Sequence, residues 1–162
     1  MQAELDETDL RILALLQEDA SLTAAQVAER VELSQSPCWR RIHRLEEIGV
    51  IEKRVAVLSR KQLGFNVTVY VEVKCSRGVR RSLDKFEAAI RSFDEVQEAH
   101  MLMGDKDFLL KVVTCDVEAF EQFVRDKLSV LSGVHEVRSF MVLSTVKATT
   151  KVPLSRCRPI AR

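Results

Sequence analysis

The chain has 162 residues, 46% of them hydrophobic and 30% charged, with a formal net charge of +1. That length makes one domain of common size or two small ones, with apolar residues enough for packed cores. No apolar run is long enough to span a bilayer as a helix, and the near-neutral total argues against an indiscriminate coat for nucleic acid.

The first predicted element is a helix over residues 7–18. Asp6 caps it, Asp9 reinforces its first turn, Leu5 and Leu10 are spaced as a hydrophobic staple, and Ile12, Leu13 and Leu16 form its apolar stripe. A second helix starts after Thr23, with Gln26 placed as its capping-box partner and Leu22 and Val27 as its staple. Val27, Ala28 and Val31 form its buried side. A third helix is expected to start with Ser36 as N-cap and Pro37 in the first helical position, and to end at Gly49. The three helices share a minimal core of Leu13, Leu16, Val27, Val31, Ile42 and Leu45.

On the third helix, Cys38, Ile42 and Leu45 fall on one side, with Ile48 at its edge. Ser36, Arg40, His43, Arg44 and Glu47 fall on the other, and Trp39 and Arg41 flank the seam. Residues 1–39 carry two Lys/Arg against eight Asp/Glu, whereas residues 40–61 carry seven against three. So local a swing from acidic to basic is a phosphate-binding footprint, and two helices joined by a tight turn lay the second across a DNA major groove. An ordinary amphipathic helix with a solvated charged side is the bland alternative. Arg40 and Arg44 are expected near bases or phosphates, His43 and Trp39 on the same surface, and Gln35, Ser36 and Arg41 as helpers at the DNA backbone. Residues 50–57 partly alternate and read as an extended, β-like segment, in which Lys53 and Arg54 either touch phosphate or belong to a plain linker strand.

Residues 59–65 (SRKQLGF) read as a linker. Beyond it come a strand (66–75), a helix (79–91), two strands (96–103 and 108–114), a helix (117–131) and a last strand (134–143). Strand-helix-strand repeated twice is the ferredoxin-like βαββαβ order. Leu83, Phe86 and Ile90 are the expected core of one helix, and Phe120, Val124, Leu128 and Leu131 that of the other. Both helices cover one side of the sheet and leave the other bare, carrying Val67, Val69 or Tyr70 according to register. Such a face is expected to be a homodimer surface. The fold class is therefore α+β: a winged-helix-like helix-turn-helix domain at 1–58, the linker at 59–65, a ferredoxin-like domain at 66–148 and a tail at 149–162.

Four cysteines (Cys38, Cys75, Cys115, Cys157) lie far apart with no C-x-x-C, so neither a metal site nor a disulfide framework is expected. With an acidic N-terminus lacking an apolar signal core, this makes the cytoplasm the expected location. Cys75 and Cys115 end the first strands of the two half-repeats. Taken as parallel neighbours, those strands would bring the two thiols together at one edge, as inert buried groups or, less favourably, as a redox pair. His43, His100 and His135 are scattered, no catalytic triad or phosphate-cradling loop is present, and neither an enzyme nor a cofactor is expected.

Four blocks carry a family resemblance: LDETDLRILALLQEDA, LSQSPCWRRIHRLEEIGVI, GDKDFLLKVV and VLSTVKATTKVPL. In this order, over nearly the whole chain, they resemble the leucine-responsive/asparagine-responsive (Lrp/AsnC) family of bacterial and archaeal transcription regulators. The resemblance implies double-stranded DNA bound by homodimers, often assembled into tetramers or octamers. It also implies an amino-acid effector, such as leucine or cysteine, held by the C-terminal domain near contacts between dimers. The Pro37-Cys38-Trp39 start of the third helix is similar to that of members answering to cysteine. The effector residues so implied are Met103, Gly104, Asp105, Lys106, Asp107 and Phe140, with Met141 and Val142 beside it. Gly104 is expected to permit the turn, and the aspartates with backbone N–H groups to offer acceptors and donors to an α-amino acid. Two positions depart from the pattern. Glu32 stands in the turn where the family usually has Gly, and Lys106 where it often has an aromatic residue. The alternatives are a DNA-wrapping architectural protein of low specificity and an amino-acid-binding module acting on an enzyme.

Overall fold

The computed structural model describes residues 4–76 and 80–156. The predicted helix start at Val79, the last residues of the tail and Cys157 lie outside them. The chain divides into two compact units, one of the residues through Val57 together with those from Lys147 onward, the other Leu58–Val146.

In the first unit α1 (Glu7–Glu18), α2 (Ala24–Val31) and α3 (Gln35–Glu47) pack around Ile12, Leu16, Val27, Val31, Cys38, Ile42 and Leu45. The expected capping box of α2 forms, and α1 has one as well. The Asp9 amide donates to Asp6 at 2.8 Å and Asp6 donates back to the Asp9 carboxylate at 3.2 Å. Thr23 and Gln26 exchange the equivalent pair at 3.3 and 2.9 Å. The start of α3 differs from the sequence reading. Its N-cap is Ser34, so Gln35 and Ser36 are already helical and Pro37 is the third helical residue. Pro fits there because the first intrahelical N–H to find a partner is that of Cys38, on the Ser34 carbonyl at 3.3 Å. Gly49, at φ 72°, ends the helix as expected.

Residues 52–59 carry no regular secondary structure and pair with no strand among the described residues, so the β-like reading of 50–57 fails for want of a neighbouring strand. The tail is more ordered than its sequence suggests. Leu154 packs against the helical core, the Val152 amide donates to Gln17 Oε1 at 3.0 Å, and Lys151 pairs with Glu18.

The second unit opens with a helical turn over the linker, in which Leu63 N–H reaches the Ser59 carbonyl at 3.2 Å. The elements that follow are β1 (Val67–Cys75), α4 (Arg80–Arg91), β2 (Val96–Met101), β3 (Phe108–Thr114), α5 (Val117–Gln122) and β4 (Val134–Met141). The sheet order is β2-β3-β1-β4, and every neighbouring pair is antiparallel. Val69, Val71, Val73, Phe108, Leu110 and Val112 are buried with Phe86, Ile90, Phe123 and Leu128 of the helices. From α5 the chain runs on through a wider-pitched segment, Phe123–Leu128, in which Ser129 N–H bonds to the Val124 carbonyl at 2.8 Å. The wider turn buries Phe123 and Leu128, five apart, and leaves Val124 only partly buried, which α-helical spacing did not anticipate.

Register decides the bare side of the sheet. Val69 faces the helices, so Tyr70 is the residue that marks the open side, joined by Phe140 opposite it on β4. By alternation the same side carries Glu72, Lys74 and Lys111, a more polar surface than the count of Val, Met and Phe suggested. The expected meeting of Cys75 and Cys115 does not occur. Because β1 and β3 are antiparallel, Val67 pairs with Thr114 and Val73 with Phe108, which puts the two cysteines at opposite ends of the sheet. Cys75 is buried and Cys115 exposed.

Candidate nucleic-acid interface and ligand site

Helix α3 buries Cys38, Ile42 and Leu45 and turns Gln35, Ser36, Trp39, Arg40, His43 and Arg44 outward. Its arginines are not equivalent. Asp9 of α1 is 1% exposed, and its carboxylate sits between two of them. Arg41 Nη1 lies 2.8 Å from one oxygen and Arg44 Nη2 2.5 Å from the other. Arg41 also pairs with Asp6 at 2.7 Å. A carboxylate this deep is tolerable only when both oxygens are paired, and here they are. The hydrogen bonds that Arg41 donates to Asp6 and Asp9 raise its pKa above the ordinary value. At Asp6 burial pushes upward, but the Asp9 amide and the Arg41 guanidinium outweigh it and hold the carboxyl below the usual range. Arg40 makes no ion pair among the described residues. It lines, with Arg44, Pro37 and the start of α1, a cavity of about 450 Å³.

The expected helpers differ in the same way. Arg54 is tied to Glu46 at 2.9 Å and donates to the Ala20 carbonyl at 3.3 Å, while Lys53 is exposed. Trp39 stacks on His43, centroids 5.2 Å apart.

In the second unit the loop from Met103 to Asp107 is closed by Leu102 N–H on the Asp107 carbonyl at 2.8 Å and by Asp107 N–H on Val73 at 3.0 Å. The Asp107 carboxylate accepts from the Cys75 amide at 2.6 Å. Asp105 is exposed and pairs with Lys74 at 2.7 Å, which lowers its pKa. Lys106 is only 8% exposed. Its ammonium lies 2.6 Å from Glu136 on β4, and that bond, with Arg138 at 2.7 Å, keeps the Glu136 carboxyl below its ordinary value. Burial pushes the Cys75 thiol up, and the nearby Asp107 carboxylate adds to it. Gly104 lies outside the left-handed region, and an added Cβ would meet nothing within 4 Å. The turn therefore does not require glycine, contrary to expectation. Phe140 pairs with Tyr70, four residues along β4 from Glu136, or about 13 Å away. Within one protomer it is not beside the loop. A separate groove of about 570 Å³ runs between α5 and β4, floored by Phe120, Val124 and Met141 with Glu121 and Arg125 among its lining.

These two units are matched separately by two family models, a winged helix-turn-helix DNA-binding domain over residues 5–52 and an Lrp/AsnC ligand-binding domain over residues 68–152. The chain belongs to the Lrp/AsnC family. Among its relatives are the proline dehydrogenase transcriptional activator of Rhizobium radiobacter and the leucine-responsive regulatory protein of Escherichia coli K12. The first is 38% identical over 90% of this chain and 94% of its own length, the second 34% identical over 92% and 91%. A Neisseria meningitidis transcriptional regulator solved as a complex with L-Met superposes with a TM-score of 0.90 at 36% identity, covering 93% of this chain and 97% of that one. This Lrp/AsnC chain is accordingly a transcriptional regulator made of a DNA-binding helix-turn-helix domain and an amino-acid-binding domain. No helix among its described residues is long and apolar enough to cross a membrane.

Three partners of the expected site residues escaped the sequence reading. Asp6 and Asp9 were read only as caps, although an acidic pair three apart on α1 and a basic pair three apart on α3 (Arg41 and Arg44) have matching spacing. Glu136 as the partner of Lys106 had no local signal, because strand register brings them together.

Proposed function

We propose that this regulator reads a specific operator as a homodimer through the outward side of α3, with Arg40 as its principal base-reading residue. The observation that carries this is the division among the arginines. Arg41 and Arg44 are held by Asp9, while Arg40 makes no ion pair among the described residues and projects from the N-terminal half of the helix, where recognition helices touch base edges. A guanidinium free to form two parallel hydrogen bonds suits guanine O6 and N7. Gln35, Ser36, Trp39, His43 and Lys53 share that surface, and Arg44 and Arg54 reach phosphate only at the outer edge of their ion pairs. Residues 1–58 then serve as the reader and 66–148 as the sensor and assembly domain.

The effector is an amino acid with an apolar or thiol side chain, leucine and cysteine among them. Asp105 supplies an exposed carboxylate for the ammonium group, the space over Gly104 gives the ligand room, and Phe140 contributes from another part of the site. Because Phe140 stands apart from the loop in one protomer, the complete site belongs where copies of the chain meet, which ties occupancy to assembly into tetramers or octamers. Fluorescence anisotropy on a duplex enriched from a random pool tests the DNA reading. Arg40→Ala should weaken the enriched site at least ten-fold with little change in its salt dependence, while affinity for random duplex changes far less. Equal affinity for both duplexes in the unaltered protein would instead indicate an architectural, low-specificity role.

A further inference from the structure

The exposed side of α3 carries one feature that phosphate binding does not require. Trp39 is 55% exposed, and its indole lies on the His43 imidazole at 5.2 Å with 22° between the ring planes. The two rings are one helical turn apart, so they form a flat ladder along the outer surface of the helix. Beyond it stands Glu47, whose Oε1 lies 3.4 Å from His43 Nε2. The imidazole lies against Trp39 before any ligand arrives. An indole on water-facing charged surface gains nothing in the free protein, but it offers a large apolar face to whatever α3 enters.

The major-groove edges of base pairs present mainly hydrogen-bond donors and acceptors, and their one large apolar group is the C5-methyl of thymine. Apolar carbon set against a donor or acceptor leaves that group without water and without a partner, which is unfavourable. Set against a methyl group it buries apolar surface on both sides. Trp39 adjoins Arg40 and lies in the N-terminal half of α3, where base edges come within reach. We propose that Trp39, positioned by His43, selects thymine through its 5-methyl group at a fixed place in each half-site, next to the base pair read by Arg40. This rests on α3 being the DNA-reading helix.

The test uses the full chain and the duplex it enriches from a random pool. Each thymine is replaced in turn by deoxyuridine, which removes only the methyl group, and Kd is measured by anisotropy at fixed salt. One thymine per half-site should be sensitive, with affinity about four-fold weaker for each methyl lost. In Trp39→Ala the thymine and deoxyuridine duplexes should bind alike, while substitution of the pair read by Arg40 still weakens binding. His43→Ala, an exposed change that leaves the indole without its stacking partner, should shrink the deoxyuridine penalty without abolishing binding. An enriched duplex with no sensitive thymine, or a penalty that persists in Trp39→Ala, overturns the proposal and leaves the DNA-reading role of α3 standing. Failure to enrich any sequence removes both. A thymine-independent loss in Trp39→Ala, equal on enriched and random duplexes, would make the indole a backbone contact and also overturn it.

Discussion

Glu32 sits at φ 60° and ψ 42°, the one non-glycine residue with positive φ among those described. It caps the end of α2, and its amide reaches the Ala28 and Glu29 carbonyls. An L-residue in this conformation costs about 1–2 kcal/mol. Glycine avoids that strain but loses more backbone freedom on folding, which offsets part of the gain. Glu32→Gly should therefore stabilise the first unit by about 1 kcal/mol, read as a higher denaturant midpoint with an unchanged slope. A lower midpoint would mean that the Glu side chain does something the backbone does not reveal. Asp9 presents the opposite case. Its carboxylate joins the capping box to both guanidinium groups, so Asp9→Ala leaves two arginines facing a buried gap and should destabilise by about 3 kcal/mol. The same logic separates Arg44→Ala, which should lower both stability and DNA affinity, from Arg40→Ala, which should lower affinity alone. Thermal melts beside the binding measurement distinguish them. The strain at position 32 was legible only through the family's usual Gly there. The role of Asp9 was not, because its partners are 32 and 35 residues away.

Among the elements, local chemistry marked what sequence could give. Thr23 with Gln26 and Asp6 with Asp9 announced two helix starts through side chains within three residues of the cap. At α3 the sequence reading took Ser36 as the cap with Pro37 first, whereas Ser34 is the cap and Pro37 third; Pro37 suits either position. No local rule separates those readings; packing of Cys38 into the core does. The βαββαβ order was legible from periodicity, yet strand direction was misread, and with it the placing of Cys75 and Cys115. From the observed register the two are some nine residues apart along antiparallel strands, about 30 Å, whereas a disulfide needs Cα atoms within about 7 Å. Treatment with oxidant followed by peptide mass mapping should find no Cys75–Cys115 bridge within a chain. Finding one would show that the sheet opens far enough to bring its two ends together. The widened turn at Phe123 was equally invisible, because a pitch of five residues is a response to packing under the sheet rather than to local propensity.

At the scale of the whole molecule, acid acts on both units in one direction. Asp6 in the first unit, and Glu98, Asp105 and Glu136 in the second, all have pKa values below their ordinary ones. For Asp6, burial works against the shift and the Asp9 amide and Arg41 prevail. Lys111 holds down Glu98, Lys74 holds down Asp105, and Lys106 with Arg138 holds down Glu136. A carboxyl with a lowered folded pKa gives stability that is complete above the unfolded value, near 4, and is lost as pH falls through the folded one. Unfolding midpoints should therefore hold level from neutral pH to about 5 and fall below about 4. A midpoint that rises with acid would contradict the ion pairs at Asp6, Asp105 and Glu136.

Binding, by contrast, should act on the units separately. A ligand at a hundred times its Kd adds about 2.7 kcal/mol to the state that binds it. If the amino acid sits at the Gly104 loop, hydrogen exchange should slow in β1, β3 and the loop amides of Leu102, Asp107 and Cys75, which close that site. Operator DNA should slow exchange in α1 and α3, which the Asp9 node joins. Asp105→Ala should abolish the first response and leave the second intact, since among the described residues Asp105 pairs with Lys74 and Lys106 of its own unit. Protection of α3 by the amino acid with no change around the loop would place the effector in the helical unit and refute the division of reader from sensor. Protection of the loop that grows with protein concentration is the result required if the site is completed where copies meet, because a pocket shared between protomers fills only as fast as they associate.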